Sequence, residues 1–121
     1  MHDKQLTGIL GEKLAADFLQ QNGARILERN YRKGRSEIDI IAISGKLLLF
    51  IEVKTRRGGN SFGYPEEAVN HKKAALIINA ASYYIKKIDW KGDIRFDIIA
   101  IQLPLSSNKN PQIYHFEDAF Y

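Results

Sequence analysis

Glu37-Ile38-Asp39-Ile40-Ile41-Ala42-Ile43-Ser44-Gly45-Lys46-Leu47-Leu48-Leu49-Phe50-Ile51-Glu52-Val53-Lys54-Thr55 holds two runs of strand-forming residues joined by a turn dipeptide. Branched and aromatic side chains favour strands, and Ser-Gly suits a two-residue reversal between neighbouring strands. Residues 37–43 are therefore read as one strand, Ser44-Gly45 as the turn and residues 46–55 as the return strand. Successive side chains of a strand point to opposite faces. Ile38, Ile40 and Ala42 then share one face of the first strand; Glu37, Asp39, Ile41 and Ile43 share the other. On the return strand Leu47, Leu49, Ile51 and Val53 share a face, and Leu48, Phe50, Glu52 and Lys54 share its reverse. With Ser44 and Gly45 as the loop, Asp39 falls opposite Phe50 and Glu37 opposite Glu52. Directly opposed residues point the same way, so Glu37, Asp39, Glu52 and Lys54 emerge together. A slip of two residues preserves this and brings Asp39 opposite Glu52, whereas an odd slip splits the group.

Both faces are otherwise apolar, which places the hairpin mid-sheet with helices on either side. Three carboxylates and an ammonium are out of keeping there. Each ion costs several kcal/mol to desolvate, and neighbouring carboxylates repel. One lysine cannot neutralise three acids, but a divalent cation can, and hard oxygen ligands suit Mg²⁺ or Mn²⁺. The competing reading has Lys54 pairing with Glu52 or Glu37 near the strand ends, where water screens the charges.

Outward from the hairpin, Leu6, Leu10, Leu14 and Phe18 recur at helical spacing, widened by Ile9, Ala15 and Leu19. They predict a first helix over residues 4–22, stopped by Gly23. A short strand is read at 25–30. After the hairpin, Pro65 suits the first turn of a helix over 65–87, with Glu66 and Glu67 favoured by its dipole. Val69, Leu76, Ile77, Ala80 and Tyr84 form its buried stripe. Strands follow at 94–101 and 113–116. The fold class is α/β, with a mixed central sheet flanked by helices, in the order helix, three strands, helix, two strands.

The chain has 121 residues and no cysteine. That length fits a single domain, 1–121, and a reducing compartment such as the cytoplasm. No apolar run is long enough to span a bilayer, and the first residues do not read as a signal peptide. The net charge of +4 favours polyanions, nucleic acid first. Arg25, Arg29, Arg32, Lys33 and Arg35 cluster in one segment, and Arg56 and Arg57 follow the hairpin. The plain alternative is a solvated basic face. His2, His71 and His115 are too far apart to suggest zinc. Trp90, Tyr83 and Tyr84 could stack on bases, but aromatics at a helix end more often serve the core. The loop from Arg56 to Gly63 could follow a phosphate backbone or be a plain connection.

Ser36-Glu37-Ile38-Asp39-Ile40-Ile41 followed by Phe50-Ile51-Glu52-Val53-Lys54 resembles the PD-(D/E)XK nuclease motif, in which one strand brings Asp and the next Glu-X-Lys. The helix–three strands–helix–strand order resembles that superfamily's restriction-endonuclease-like αβββαβ core. More narrowly, the chain is similar to the YraN family of uncharacterised bacterial proteins, related in turn to Holliday junction resolvases. Gly8, Gly11, Glu12, Ala15, Asn30, Tyr31, Glu37-Ile38-Asp39, Glu52-Val53-Lys54-Thr55-Arg56, Phe62-Gly63, Lys73 and Arg95-Phe96-Asp97 carry the similarity, from about Gly8 to Phe120. Ile38 stands where the motif name has Pro, and Ser36 where Gly is usual; neither removes a reactive group.

The resemblance implies a Mg²⁺- or Mn²⁺-dependent endonuclease acting on DNA, branched or junction DNA included, with RNA left open. Asp39, Glu52 and the Val53 carbonyl would hold the metal. Lys54 would orient the attacking water and stabilise developing charge, and Glu12 would complete the acid cluster directly or through water. Lys73 would reach the site from the second helix. Arg32, Lys33, Arg35, Arg56, Arg57 and Lys73 are the candidate nucleic-acid contacts. Glu37 would be an outer acid or a strand-end ion pair, and Asp97 would pair with Arg95 or a nearby amide. A symmetric homodimer is what resolvase kinship would bring. Two other readings remain open: a nuclease fold that binds nucleic acid without cutting it, and an adaptor whose hairpin acids only form ion pairs.

Overall fold

A computed structural model describes residues 3–58, 69–106 and 108–120. The elements run α1 (Asp3–Gln21), β1 (Arg25–Lys33), β2 (Ser36–Ser44), β3 (Leu47–Arg57), α2 (His71–Ile88), β4 (Asp93–Leu103) and β5 (Gln112–Phe116). The five strands form one sheet in the order β1-β2-β3-β4-β5. Only β3 and β4 are parallel, as their connection through α2 requires. The other pairs are antiparallel. This is the α/β fold with a mixed sheet and the expected αβββαβ order, extended by β5.

The hairpin closes one residue later than the sequence suggests. Ser44 pairs with Leu47, so the loop is Gly45-Lys46 rather than Ser44-Gly45. Gly45 has φ 61, and a II′ hairpin turn wants glycine at its first central position. The register follows the two-residue slip, with Ile41 opposite Phe50 and Ile40 opposite Ile51.

Among the described residues each face of the sheet carries one helix. On one face Ala15, Ala16 and Leu19 of α1 pack with Ile40, Ala42, Leu49, Ile51, Ile99, Ile101 and Leu103. On the other, Ile77, Ala80, Ala81 and Tyr84 of α2 pack with Ile38, Ile41, Leu48, Phe50, Phe96 and Ile98. Ile38 thus parts from Ile40 and Ala42, against the simple alternation read from the sequence. The break falls at Asp39, opposite the stretch of β1 where Asn30 takes φ 53.

The α1 stripe also differs from the expectation. Leu6, Ile9 and Leu10 are exposed, and the helix meets the sheet through Ala15 and Leu19 of the expected stripe, with Leu14 and Phe18 partly buried beside them, and through Gly11. The sheet face is already filled by branched side chains, so small residues let the helix approach closely. A Cβ on Gly11 would overlap Thr55 Oγ1 and come within 2.7 Å of Thr55 Cβ. Gly11→Ala is therefore expected to cost about 1–3 kcal/mol, the usual range for overpacking. Urea denaturation reads this, and an unchanged midpoint would contradict the close packing.

The sequence starts the second helix at Pro65, but Pro65, Glu66 and Glu67 lie outside the described residues. As described, the helix begins at His71, with the Asn70 side chain accepting from Lys73 N–H at 2.8 Å, a standard N-terminal cap. Val69 is buried but precedes it, and Leu76 is exposed. The inward stripe is Ile77, Ala80, Ala81 and Tyr84, and Lys73 lies four residues before Ile77 on the same side.

Candidate active site

Continuing the hairpin register by one step from Ile40 and Ile51 sets Asp39 opposite Glu52. The described β2–β3 pairing stops at that point. Asp39 Oδ2 accepts the Val53 N–H at 2.8 Å, so a carboxylate takes an amide left over where the ladder ends. The Asp39 and Glu52 carboxyl groups lie within hydrogen-bonding reach of each other. Glu52 is only 6% exposed, and its Oε2 accepts no hydrogen bond from a described residue. The Lys73 ammonium lies against that same oxygen as an ion pair, in an arrangement that supplies charge without a hydrogen bond.

Burial, the shared hydrogen bond with Glu52 and that neighbour's charge push the Asp39 carboxyl up to about 8, against the Val53 N–H and Lys73, which favour ionisation. The two acids therefore hold a proton between them near neutral pH. The native state binds this proton across a range in which an unfolded Asp, at 3.8, has lost it. Stability of the metal-free protein should thus be fully present below about pH 4 on this account and fall as pH rises toward 8. Thermal melts across that range, in chelator, are the check. A melting temperature that rises steadily over it would oppose the assignment.

The pair could serve a hard divalent ion, because two neighbouring carboxyl groups supply hard oxygen ligands, although Lys73 now lies against one of those oxygens. Among the described residues no group of three or more His, Cys, Asp or Glu is placed to hold a metal. The candidate donors are two carboxylates and a carbonyl, a sufficient set where water and phosphate complete a Mg²⁺ shell.

Glu12 is half-buried on α1. Its carboxyl is pushed up by burial and by the charge of Asp39, with Asn30 and Arg29 acting the other way. Asn30 is the residue that the sequence reading left without a role. With its amide oriented so that the NH₂ donates, Nδ2 lies 3.0 Å from Glu12 Oε1 and 3.3 Å from Glu37 Oε1. Asn30 thereby ties α1 to β2 beside the acid pair. Its φ of 53, a backbone region Asn tolerates better than most residues, was the feature that sequence alone could not supply. Glu37 also faces Arg32 at 3.3 Å, the pairing set by the β1–β2 register.

The four hairpin charges do not gather as one group. Asp39 and Glu52 meet, and Glu37 turns to Arg32 and Asn30. Lys54 is exposed and forms no ion pair with a described residue. Lys73, read as a nucleic-acid contact, is the lysine touching the pair. Lys33, Arg35, Arg56 and Arg57 are exposed, and Lys33 lies 4.5 Å from the centre of the Tyr83 ring. Of the aromatic candidates, Tyr84 is buried and the Trp90 indole donates to the Asp93 carbonyl. Only Tyr83 presents a half-exposed ring.

One register step from Glu52, on β4, Asp97 is fully buried and pairs as expected. Arg95 Nε and Nη2 donate to its two oxygens at 2.8 and 2.9 Å. The Asp118 N–H donates at 3.0 Å, and His115 Nε2 lies 2.7 Å away.

The family model described as "Uncharacterised protein family UPF0102" matches residues 11–101. Among curated relatives, a UPF0102 protein of Cytophaga hutchinsonii is 48% identical over 94 residues, 78% of this chain and 82% of that protein. One from Persephonella marina is 42% identical over 116 residues, covering 95% and 93%. One from Chlorobium limicola is 46% identical over 124 residues, covering 99% and 95%. Among solved structures, Pyrococcus furiosus SfsA in complex with Ca²⁺ aligns with a TM-score of 0.36 and 18% identity. That alignment takes in 95% of this chain and 64% of the SfsA chain.

Proposed function

Because the chain belongs to the uncharacterised protein family UPF0102, whose description supplies no reaction, we propose its activity from its own residues. It is a metal-dependent endonuclease of the PD-(D/E)XK type, in the group known as YraN, hydrolysing phosphodiester bonds in DNA. The convergence of Asp39 and Glu52 at the point where β2 and β3 part carries this reading. Two acids that share a proton and leave one buried oxygen without a hydrogen bond are poorly placed for stability alone. They are well placed to receive a hard cation.

Asp39 and Glu52 would hold Mg²⁺ or Mn²⁺, with the Val53 carbonyl as a third donor. When bound, such an ion supplies charge stabilisation at the phosphate and a more acidic water. The protein's part is to lose the shared proton and keep both carboxylates aimed at one point. Val53 N–H fixes Asp39 for this, and burial among apolar side chains fixes Glu52. Lys54, exposed beside the pair, would meet the scissile phosphate and stabilise charge that develops there. Glu12, tethered by Asn30, would orient water from the α1 side. Arg32, Lys33, Arg35, Arg56 and Arg57 would hold the backbone of the nucleic acid.

The test is a panel of linear, flapped and four-way-junction DNA incubated with Mg²⁺, Mn²⁺ or chelator. Cutting should require metal. Lys54→Ala should slow it about 10²–10³-fold, the usual loss of one charge-stabilising donor, and leave the melting temperature unchanged because the side chain is exposed. Cleavage that is indifferent to chelator would sink the reading, as would full activity in Lys54→Ala. Analytical ultracentrifugation with and without junction DNA addresses the homodimer that junction symmetry would favour.

A further inference from the structure

We propose that Lys73 is a built-in cation, occupying the acid pair until a divalent ion displaces it and thereafter contacting the substrate phosphate. The proposal rests on the nuclease reading above and concerns what the site does before metal arrives.

Four observations lead to it. The Lys73 ammonium, rather than that of Lys54, lies against Glu52 Oε2. That oxygen is buried and accepts no hydrogen bond from a described residue, so the ammonium holds it by charge. Glu52 itself is buried, whereas the Lys73 side chain is 49% exposed. The acid is therefore fixed, and the lysine has open space to enter. Finally, the Lys73 backbone is held by the Asn70 cap. Its Cα stays in place while four flexible side-chain bonds swing the ammonium away.

The two cations compete for the oxygen. A Mg²⁺–oxygen bond is about 2.0–2.1 Å long, and an ammonium left alongside would face a doubly charged ion at close range. Metal entry therefore expels Lys73. An ammonium released at the rim of the site, on the first turn of α2, becomes available to an anionic ligand when the metal is present. The pair is in this way neutralised in the empty protein without a second buried base. Metal loading and substrate capture become one linked event. The displaced state is only part of the metal-free population, so apparent metal affinity is lowered by that fraction.

The experiment is calorimetric titration of Mn²⁺, without DNA, into the parent, Lys73→Met and Lys73→Gln. Both variants should bind Mn²⁺ about 3- to 10-fold more tightly than the parent. With Ca²⁺ present, both should bind junction DNA several-fold more weakly than the parent. A second measurement uses the unmodified chain: acylation of Lys73 by an amine reagent, followed by peptide mass analysis, should speed up when Mn²⁺ is added. Equal or weaker Mn²⁺ affinity in both variants overturns the proposal, as does acylation indifferent to metal. Either result alongside metal-dependent cleavage leaves the nuclease reading standing. Failure of the parent and both variants to take up Mn²⁺ removes that reading, and this inference with it.

Discussion

Asp39→Asn is expected to abolish metal-dependent cleavage, by at least about a thousandfold, and also to raise the stability of the metal-free protein at pH 8. Asparagine keeps the shape, and its carbonyl oxygen can still accept the Val53 N–H that Asp39 holds at 2.8 Å. Its NH₂ can donate permanently to Glu52, replacing the shared proton. What vanishes is the second negative charge, the one a divalent ion needs. Burial and Glu52 hold the Asp39 carboxyl up at about 8, so ionising it strains the native state, and removing the ionisable group relieves that strain. A gain of about 1–3 kcal/mol at pH 8 is the expected order, shrinking as pH falls toward 4. Melting curves at pH 5 and pH 8, paired with single-turnover cleavage, give both readouts. A variant that cuts within tenfold of the parent would remove Asp39 from the metal site, and one that is less stable at pH 8 would contradict the repulsion between the acids.

The second large effect is purely structural. Asp97→Ala should lower stability by about 3–5 kcal/mol, the loss typical when one partner of a buried charge pair is removed. Four groups converge on Asp97: the two nitrogens of Arg95, the Asp118 N–H and His115. Alanine leaves the guanidinium half-sequestered with Glu117 as its ion-pair partner, and removes one tie between β4 and the tail after β5, where the Ala119 N–H still donates to the Phe96 carbonyl at 2.8 Å. The Asp97 carboxyl is held low, at about 2, by His115, Arg95 and the Asp118 amide, which together outweigh its burial. Its contribution is therefore present above the unfolded value of 3.8 and lost as pH falls toward 2. Denaturant titrations at pH 7 and pH 3 should show the parent and Asp97→Ala drawing closer at the lower pH. A loss below about 1 kcal/mol at pH 7 would show that the cluster is not the tie it resembles.

Much of this was legible in the sequence, for identifiable reasons. Apolar alternation interrupted by Asp39 and Glu52 announces both the hairpin and its charges, because buried acids are costly enough to stand out. Its register was open by two residues, since Ser44-Gly45 and Gly45-Lys46 are both acceptable loops. The glycine's positive φ decided between them. Helix faces were harder. Leu6, Ile9 and Leu10 fit a helical stripe, yet the sheet rewards close approach over bulk, and Gly11 faces it beside Ala15 and Leu19 of that stripe. Lys73 was legible as a side chain reaching the site, but not as the ion-pair partner of Glu52, for which Lys54, adjacent in sequence, was the natural choice. Lys73 reaches Glu52 only through the placement of α2 on that face of the sheet. Asn30 was invisible as a bridge because its role depends on a left-handed backbone and on three elements meeting.

Among the described residues β1 is an edge of the sheet, with a side of amides and carbonyls that no described strand pairs and on which another extended chain could align. Arg25, Arg29, Arg32 and Lys33 are all exposed along it. Two such borders brought together would set like charges face to face, which discourages fibre-like stacking between molecules. That protection is electrostatic, so concentrated salt would weaken it, and a polyanion lying along the strand would neutralise it while physically covering the same border. On the nuclease reading proposed above, resistance to self-association and attraction to a phosphate chain would be two outcomes of one row of cations.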